Sequence, residues 1–190
     1  MLVGRWEGGA AGRLREAAMR LYAERGYEQT TVADIASEAG LTARTFFRHF
    51  ADKREVLFAG SDELRSRMAA ALDAAPAEAG PMTAVGAALD AAAEMLDGFR
   101  DHSRRRQALI YATPELMERE LSKMASLASS LTAGLRRRGV PEPDASLAAE
   151  AGTMVFRVAF EQYVSEGEEA GLGELVRSML ERLPAVTAAR

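Results

Sequence analysis

Apolar residues recur along this chain at alternating spacings of three and four, and no segment alternates at the β-strand period, so the pattern predicts helices throughout. Leu14, Ala17, Ala18, Leu21 and Tyr22 form the first stripe, which Gly26 terminates and on which Tyr27 packs back. Thr31, with Asp34 three residues on, makes a capping box, and Val32, Ile35, Ala36 and Ala39 follow on one helical face. Gly40 stands where a helix C-terminus needs a left-handed residue. Thr42 caps a third short helix, whose Phe46 and Phe50 lie four apart and face inward together. Asp52 with Glu55 gives a second capping box. It opens a helix expected to continue through Val56, Leu57, Leu64, Met68 and Leu72, bent near Gly60.

Beyond a loop over 74–81, Met82, Val85, Leu89, Ala92, Leu96 and Phe99 make the next stripe. Asp101 can cap a short helix reaching Tyr111, and Thr113, Pro114 and Glu115 are a strong helix start. Met117, Leu121, Met124, Ala128, Leu131 and Leu135 continue that helix to Arg136, Arg137, Arg138 and Gly139. From Thr153 to Val164 apolar residues cover most of the circumference, which predicts burial on more than one side. The final helix carries Leu172, Leu175, Val176, Met179, Leu180 and Leu183. The expected fold class is all-α: a three-helix helix-turn-helix domain over 8–68, with the helix-turn-helix at 31–50, and a helical regulatory and dimerisation domain over 69–190.

The chemistry concentrates in the third short helix. Between Thr42 and Arg54 lie Arg44, Arg48, Lys53, Arg54 and His49, against a single acid, Asp52. A short helix with apolar anchors on one side and cations and hydroxyls on the other fits a DNA major groove. The overall charge of −4 does not oppose this, because it is unevenly placed. Residues 1–58 hold nine Lys and Arg against eight Asp and Glu, so attraction to a polyanion has to come from local clustering.

The run from Leu14 to Leu57 resembles the DNA-binding domain of the TetR family of bacterial transcriptional regulators. The landmarks are Ala18, Leu21, Tyr22, Gly26-Tyr27, Thr31-Val32, Asp34-Ile35-Ala36, Ala39-Gly40, Thr45, Phe50 and Lys53. The resemblance implies phosphate contacts from Thr31, Thr42 and Lys53, and base contacts from Ala43 and Arg44, with Arg44 suited to guanine. Thr45 and Arg48 flank that face, and His49 points toward the strand. Phe47 stands where the family most often has tyrosine, so a hydroxyl for phosphate is missing there and packing on sugar remains. The arm over 1–12 departs as well, with Arg5 as its one cation and Trp6 without an assigned role.

The resemblance also implies a homodimer joined through the last two helices on a palindromic double-stranded DNA operator. Half-site centres are then about 34–36 Å apart. A small apolar or amphipathic effector would relieve repression, with the helix opening at Asp52 as the lever between the two domains. Candidate ligand residues are Met95, Phe99, Tyr111, Met124, Phe156, Arg157 and Phe160, against the reading that such side chains are ordinary core. Arg157 reads equally as a polar handle in a pocket or as a surface pair with Glu161. Arg104, Arg105 and Arg106 read as a solvated helix face.

Composition narrows the alternatives. The absence of cysteine excludes disulfides and thiolate zinc sites and fits a reducing cytoplasm. No apolar run reaches the ~18 residues of a membrane span, and the first residues lack the apolar core of a secretory signal. An enzyme is disfavoured: neither His49 nor His102 has a glutamate three residues earlier, as a di-metal carboxylate bundle needs, so neither cofactor nor metal is expected. The remaining competitor is a helical interaction module without specific DNA binding.

Overall fold

The computed structural model describes residues 9–188, so Arg5 and Trp6 lie outside the described residues. Every regular element among the described residues is helical. In chain order these are α1 (Ala10–Arg25), α2 (Val32–Glu38), α3 (Ala43–His49), a 3₁₀ turn (Glu55–Phe58), α4 (Ser61–Ala74) and α5 (Pro81–Leu96). Then come α6 (Arg100–Ala112), α7 (Pro114–Arg137), α8 (Asp144–Tyr163) and α9 (Leu172–Thr187).

The chain divides into two units, one of residues 1–60 with 105–120, the other of residues 61–104 with 121–190. The division therefore falls at Gly60 and inside α6 and α7, whereas the apolar pattern suggested one boundary after residue 68. The helix expected from Asp52 to Leu72 is not continuous. Asp52 Oδ1 accepts from the Arg54 and Glu55 amides at 2.8 and 3.1 Å, but this cap opens only the 3₁₀ turn. Gly60, at φ 92°, then takes a left-handed conformation that a helix interior excludes, and α4 restarts at Ser61.

The first unit packs Leu14, Ala18, Leu21 and Tyr22 of α1 with Ile35, Phe46, Phe50, Val56, Leu57 and Phe58, and adds Ile110 and Leu116. The α7 stripe is correspondingly rotated from the expected one. Leu116 is buried, while Leu121 is 60% exposed, because this helix supplies its opening residues to one core and its remainder to another.

The second unit buries Met68, Leu72, Val85, Leu89, Leu131, Leu135, Phe156, Tyr163, Leu172 and Val176. Arginines bind its chain ends. Arg138 donates to the carbonyls of Leu72 and Ala75 at 3.2 and 2.8 Å, closing the C-terminus of α4. Arg100 donates to the Glu168 and Ala170 carbonyls and lies 4.4 Å over the Tyr163 ring. Arg104 Nε reaches the Val164 carbonyl at 2.8 Å. Asp97 accepts the Leu172 amide at 2.9 Å and so fixes the start of α9.

Within this unit α5 and α8 approach closely at Gly152, where an added β-carbon would overlap Val85 Cγ1. Gly152→Ala is expected to cost about 1–3 kcal/mol by overpacking. In a urea titration the Val85→Ala/Gly152→Ala pair should cost less than the sum of its single substitutions.

Candidate nucleic-acid interface

Three local features set the position of α3. The first is the turn before it. Gly40, at φ 66°, lets its own amide reach the Ser37 carbonyl at 3.0 Å and the Leu41 amide reach the Ala36 carbonyl at 2.8 Å. The second is capping. Thr31 and Asp34 satisfy each other at the start of α2, at 3.1 and 2.9 Å. Thr42 Oγ1 accepts the Thr45 amide at 3.2 Å and pairs with Thr45 Oγ1 at 3.1 Å. The third is burial: Phe46 is fully buried, with its ring 5.5 Å from that of Phe50.

A node of two tyrosines and a lysine secures the segment after α3. The Tyr22 hydroxyl donates to the Lys53 carbonyl at 2.6 Å. Lys53 Nζ donates to the carbonyls of Tyr27 and Thr30 at 3.0 and 3.4 Å and stands 4.0 Å over the Tyr27 ring. The loop before α2 and the chain after α3 are thereby held as one piece. Burial pushes the Tyr27 phenol up to about 12 and raises that of Tyr22 further, with the neighbouring Tyr27 and Asp52 adding to the effect. Hydrogen bonds from the Thr31 side chain and amide hold Asp34 below the usual carboxylate range. Burial works against ionisation of Asp52, but hydrogen bonds from Arg54 and the Glu55 amide outweigh it and lower its pKa.

The outward face of α3 is Ala43, Arg44, Phe47, Arg48 and His49, all exposed, with Thr45 half-buried. Among the described residues neither Arg44 nor Arg48 is paired with a carboxylate, although Arg20, Arg54, Arg106, Arg119, Arg137, Arg157 and Arg177 all are. The structure thus brings Ala43, Arg44, Phe47, Arg48 and His49 onto one surface. It leaves the Thr31 and Thr42 hydroxyls engaged in their own caps and Lys53 set back in the tyrosine node.

Sequence reasoning missed the roles of two other arginines. Arg106 is not on a solvated face: it donates to the Leu57 carbonyl and to Glu120, both at 2.8 Å, and lies 5.0 Å over Phe58. Arg104 is held by the Val164 carbonyl, and Arg105 is the exposed member of the three. These partners sit on other elements, so no i,i+4 spacing announces them. Arg119 pairs with Glu55 in the same way.

The candidate ligand residues do not form one set. Phe156 and Phe160 stack at 6.0 Å within the second unit, and Met124 packs against the same core. Met95 and Phe99 are half-buried. Tyr111 is 55% exposed and belongs to the first unit, so it does not face an interior shared with the others. Arg157 lies on the exposed side of α8, 2.9 Å from Glu161, so the surface-pair reading holds and the pocket reading does not.

Residues 14–59 match the family described as bacterial regulatory proteins, tetR family, and residues 79–188, more than half of the chain, match the MftR C-terminal domain. The HTH-type transcriptional regulator TcmR of Streptomyces glaucescens is 33% identical over 122 residues, 60% of this chain and 53% of TcmR. The HTH-type transcriptional repressor KstR2 of Mycobacterium tuberculosis is 46% identical over 46 residues, 24% of this chain and 23% of KstR2. The matches thus span about half the length of one relative and a quarter of the other. In fold, the chain is similar to SmeT, the repressor of the Stenotrophomonas maltophilia multidrug efflux pump SmeDEF. The TM-score is 0.60 at 19% identity, over 93% of this chain and 89% of SmeT.

Both tyrosine protons bind more tightly in the folded than in the unfolded chain. Their contribution is therefore complete below the ordinary tyrosine pKa of 10.0 and is lost as pH rises through the folded value. Tyr22→Phe removes one of these protons, so its thermal stability is expected to fall less steeply above pH 10 than that of the unsubstituted chain, read by melting between pH 9 and 12.

Proposed function

Because the chain belongs to the TetR family of bacterial regulatory proteins, with an MftR-type C-terminal domain, we propose that it is a DNA-binding transcriptional regulator that acts in the cytoplasm. The observation that carries this reading is the outward face of α3. Arg44 and Arg48 stand one turn apart, exposed and without carboxylate partners among the described residues, on a helix anchored from behind by Phe46. Charges left unneutralised on a rigid surface suit a polyanion that supplies the missing counter-charge. Arg44 reaches base edges, where a bidentate contact to guanine discriminates by about 1–3 kcal/mol. Lys53 keeps one N–H beyond its two carbonyl partners, and that proton is free to meet a phosphate.

The regulator works as a homodimer through α8 and α9, on a palindromic operator. Support comes from the free face of α8, where Leu147, Met154 and Val158 are 65, 44 and 37% exposed at helical spacing. On α9, Met179, Leu180 and Leu183 are only partly covered. A single-chain surface of this kind favours an isologous partner. No helix among the described residues is long and apolar enough to cross a membrane.

As a repressor, the protein is relieved by a small apolar or amphipathic effector in the second unit, near Met95, Phe99, Met124, Phe156 and Phe160. The effector acts only through its differential affinity for the two operator-spacing states. The helices able to carry that difference are α6 and α7, which contribute residues to both units, in place of the uninterrupted helix the pattern suggested.

Selection from a random duplex pool, followed by anisotropy titration, tests this reading. Arg44→Ala is expected to weaken discrimination at one position per half-site by about 10-fold or more. Lys53→Met should weaken all duplexes alike and reduce the salt slope by about one. A pool from which no sequence is enriched contradicts the proposal.

A further inference from the structure

The outward face of α3 carries two parallel strips, and the family reading accounts for only one. Arg44 and Arg48 are four apart and form a cationic strip; Ala43 and Phe47, also four apart, form an apolar strip beside it. Phe47 is 59% exposed, yet its ring is not loose: it sits edge-on against the fully buried Phe46, with centroids 5.6 Å apart and planes at 81°. A phenyl ring offers no donor to a phosphate oxygen, so it cannot serve as a backbone anchor.

At the base edges of a major groove the apolar feature is the 5-methyl of thymine, and alanine and phenylalanine are side chains that meet it. Resting on the regulatory reading above, we infer that Phe47 is a specificity-determining residue that contacts a thymine 5-methyl, beside the base pair read by Arg44. Ala43, one turn earlier on the same strip, leaves room for that ring to lie along the groove. Thr45 does not compete for the methyl, because its hydroxyl is tied to Thr42 at 3.1 Å and its side chain is half-buried.

The test replaces thymine with uracil, which removes the methyl and leaves every hydrogen-bonding group in place. The full chain first selects its duplex from a random pool; each thymine of the selected site is then changed singly to deoxyuridine and binding is read by anisotropy. One position in each half-site is expected to lose about fourfold in affinity, the value of one buried methyl group. Phe47→Ala should abolish that loss while the melting curve stays near that of the parent. Phe47→Leu, still apolar, should keep part of it. If no sequence is enriched, the regulatory reading fails and this inference fails with it. If a site is enriched but every deoxyuridine is neutral, or if the penalty persists in Phe47→Ala, the inference alone is overturned. A loss in Phe47→Ala that is equal with and without the methyl also overturns it, and assigns the ring to sugar packing.

Discussion

A seven-residue helix has no independent stability in water, since nucleation costs more than so few hydrogen bonds return. The helix α3 exists because Phe46 is buried completely and Phe50 nearly so, against α1 and α2. That constraint has a functional consequence. With one side committed to the core, α3 cannot rotate, and Ala43, Arg44, Phe47 and Arg48 are held facing outward. The Gly40 turn and the Thr42 cap set where the helix begins, and the Lys53 node sets where the chain goes after it. Rigidity at this surface reduces the ordering cost of meeting a groove of fixed shape.

The arginines divide by use. Arg100, Arg104 and Arg138 close chain ends by donating to carbonyls. Arg106 and Arg119 tie the first unit's share of α6 and α7 to the 3₁₀ turn through Leu57, Glu120 and Glu55. Those on the free face of α3 have no such work among the described residues. A chain with net charge −4 can therefore present a locally positive surface, because its acids are placed elsewhere or already engaged.

Much of this was legible in the sequence, and the boundary of legibility has physical causes. The Thr31–Asp34 box, the Gly40 turn and the inward pair of Phe46 and Phe50 depend on residues within a few positions of one another, and local spacing reveals them. The broken helix was not legible: the stripe through Val56, Leu57, Leu64 and Met68 keeps helical period across Gly60, and only the backbone angle shows the interruption. Arg106 and Tyr111 were misplaced because α6 serves two cores, so its exposed and buried faces do not follow a single stripe. Of the two readings of Arg157, spacing alone could not choose; the observed Glu161 pair did.

The central claim is that the outward face of α3 meets DNA twice in one assembly. Hydroxyl-radical footprinting of the full chain on its selected duplex tests this most directly. The expected result is two protected patches related by a two-fold axis, their centres one helical turn or a multiple apart, and both lost in Arg44→Ala/Arg48→Ala. A single patch, or protection unchanged by that double substitution, would contradict the account.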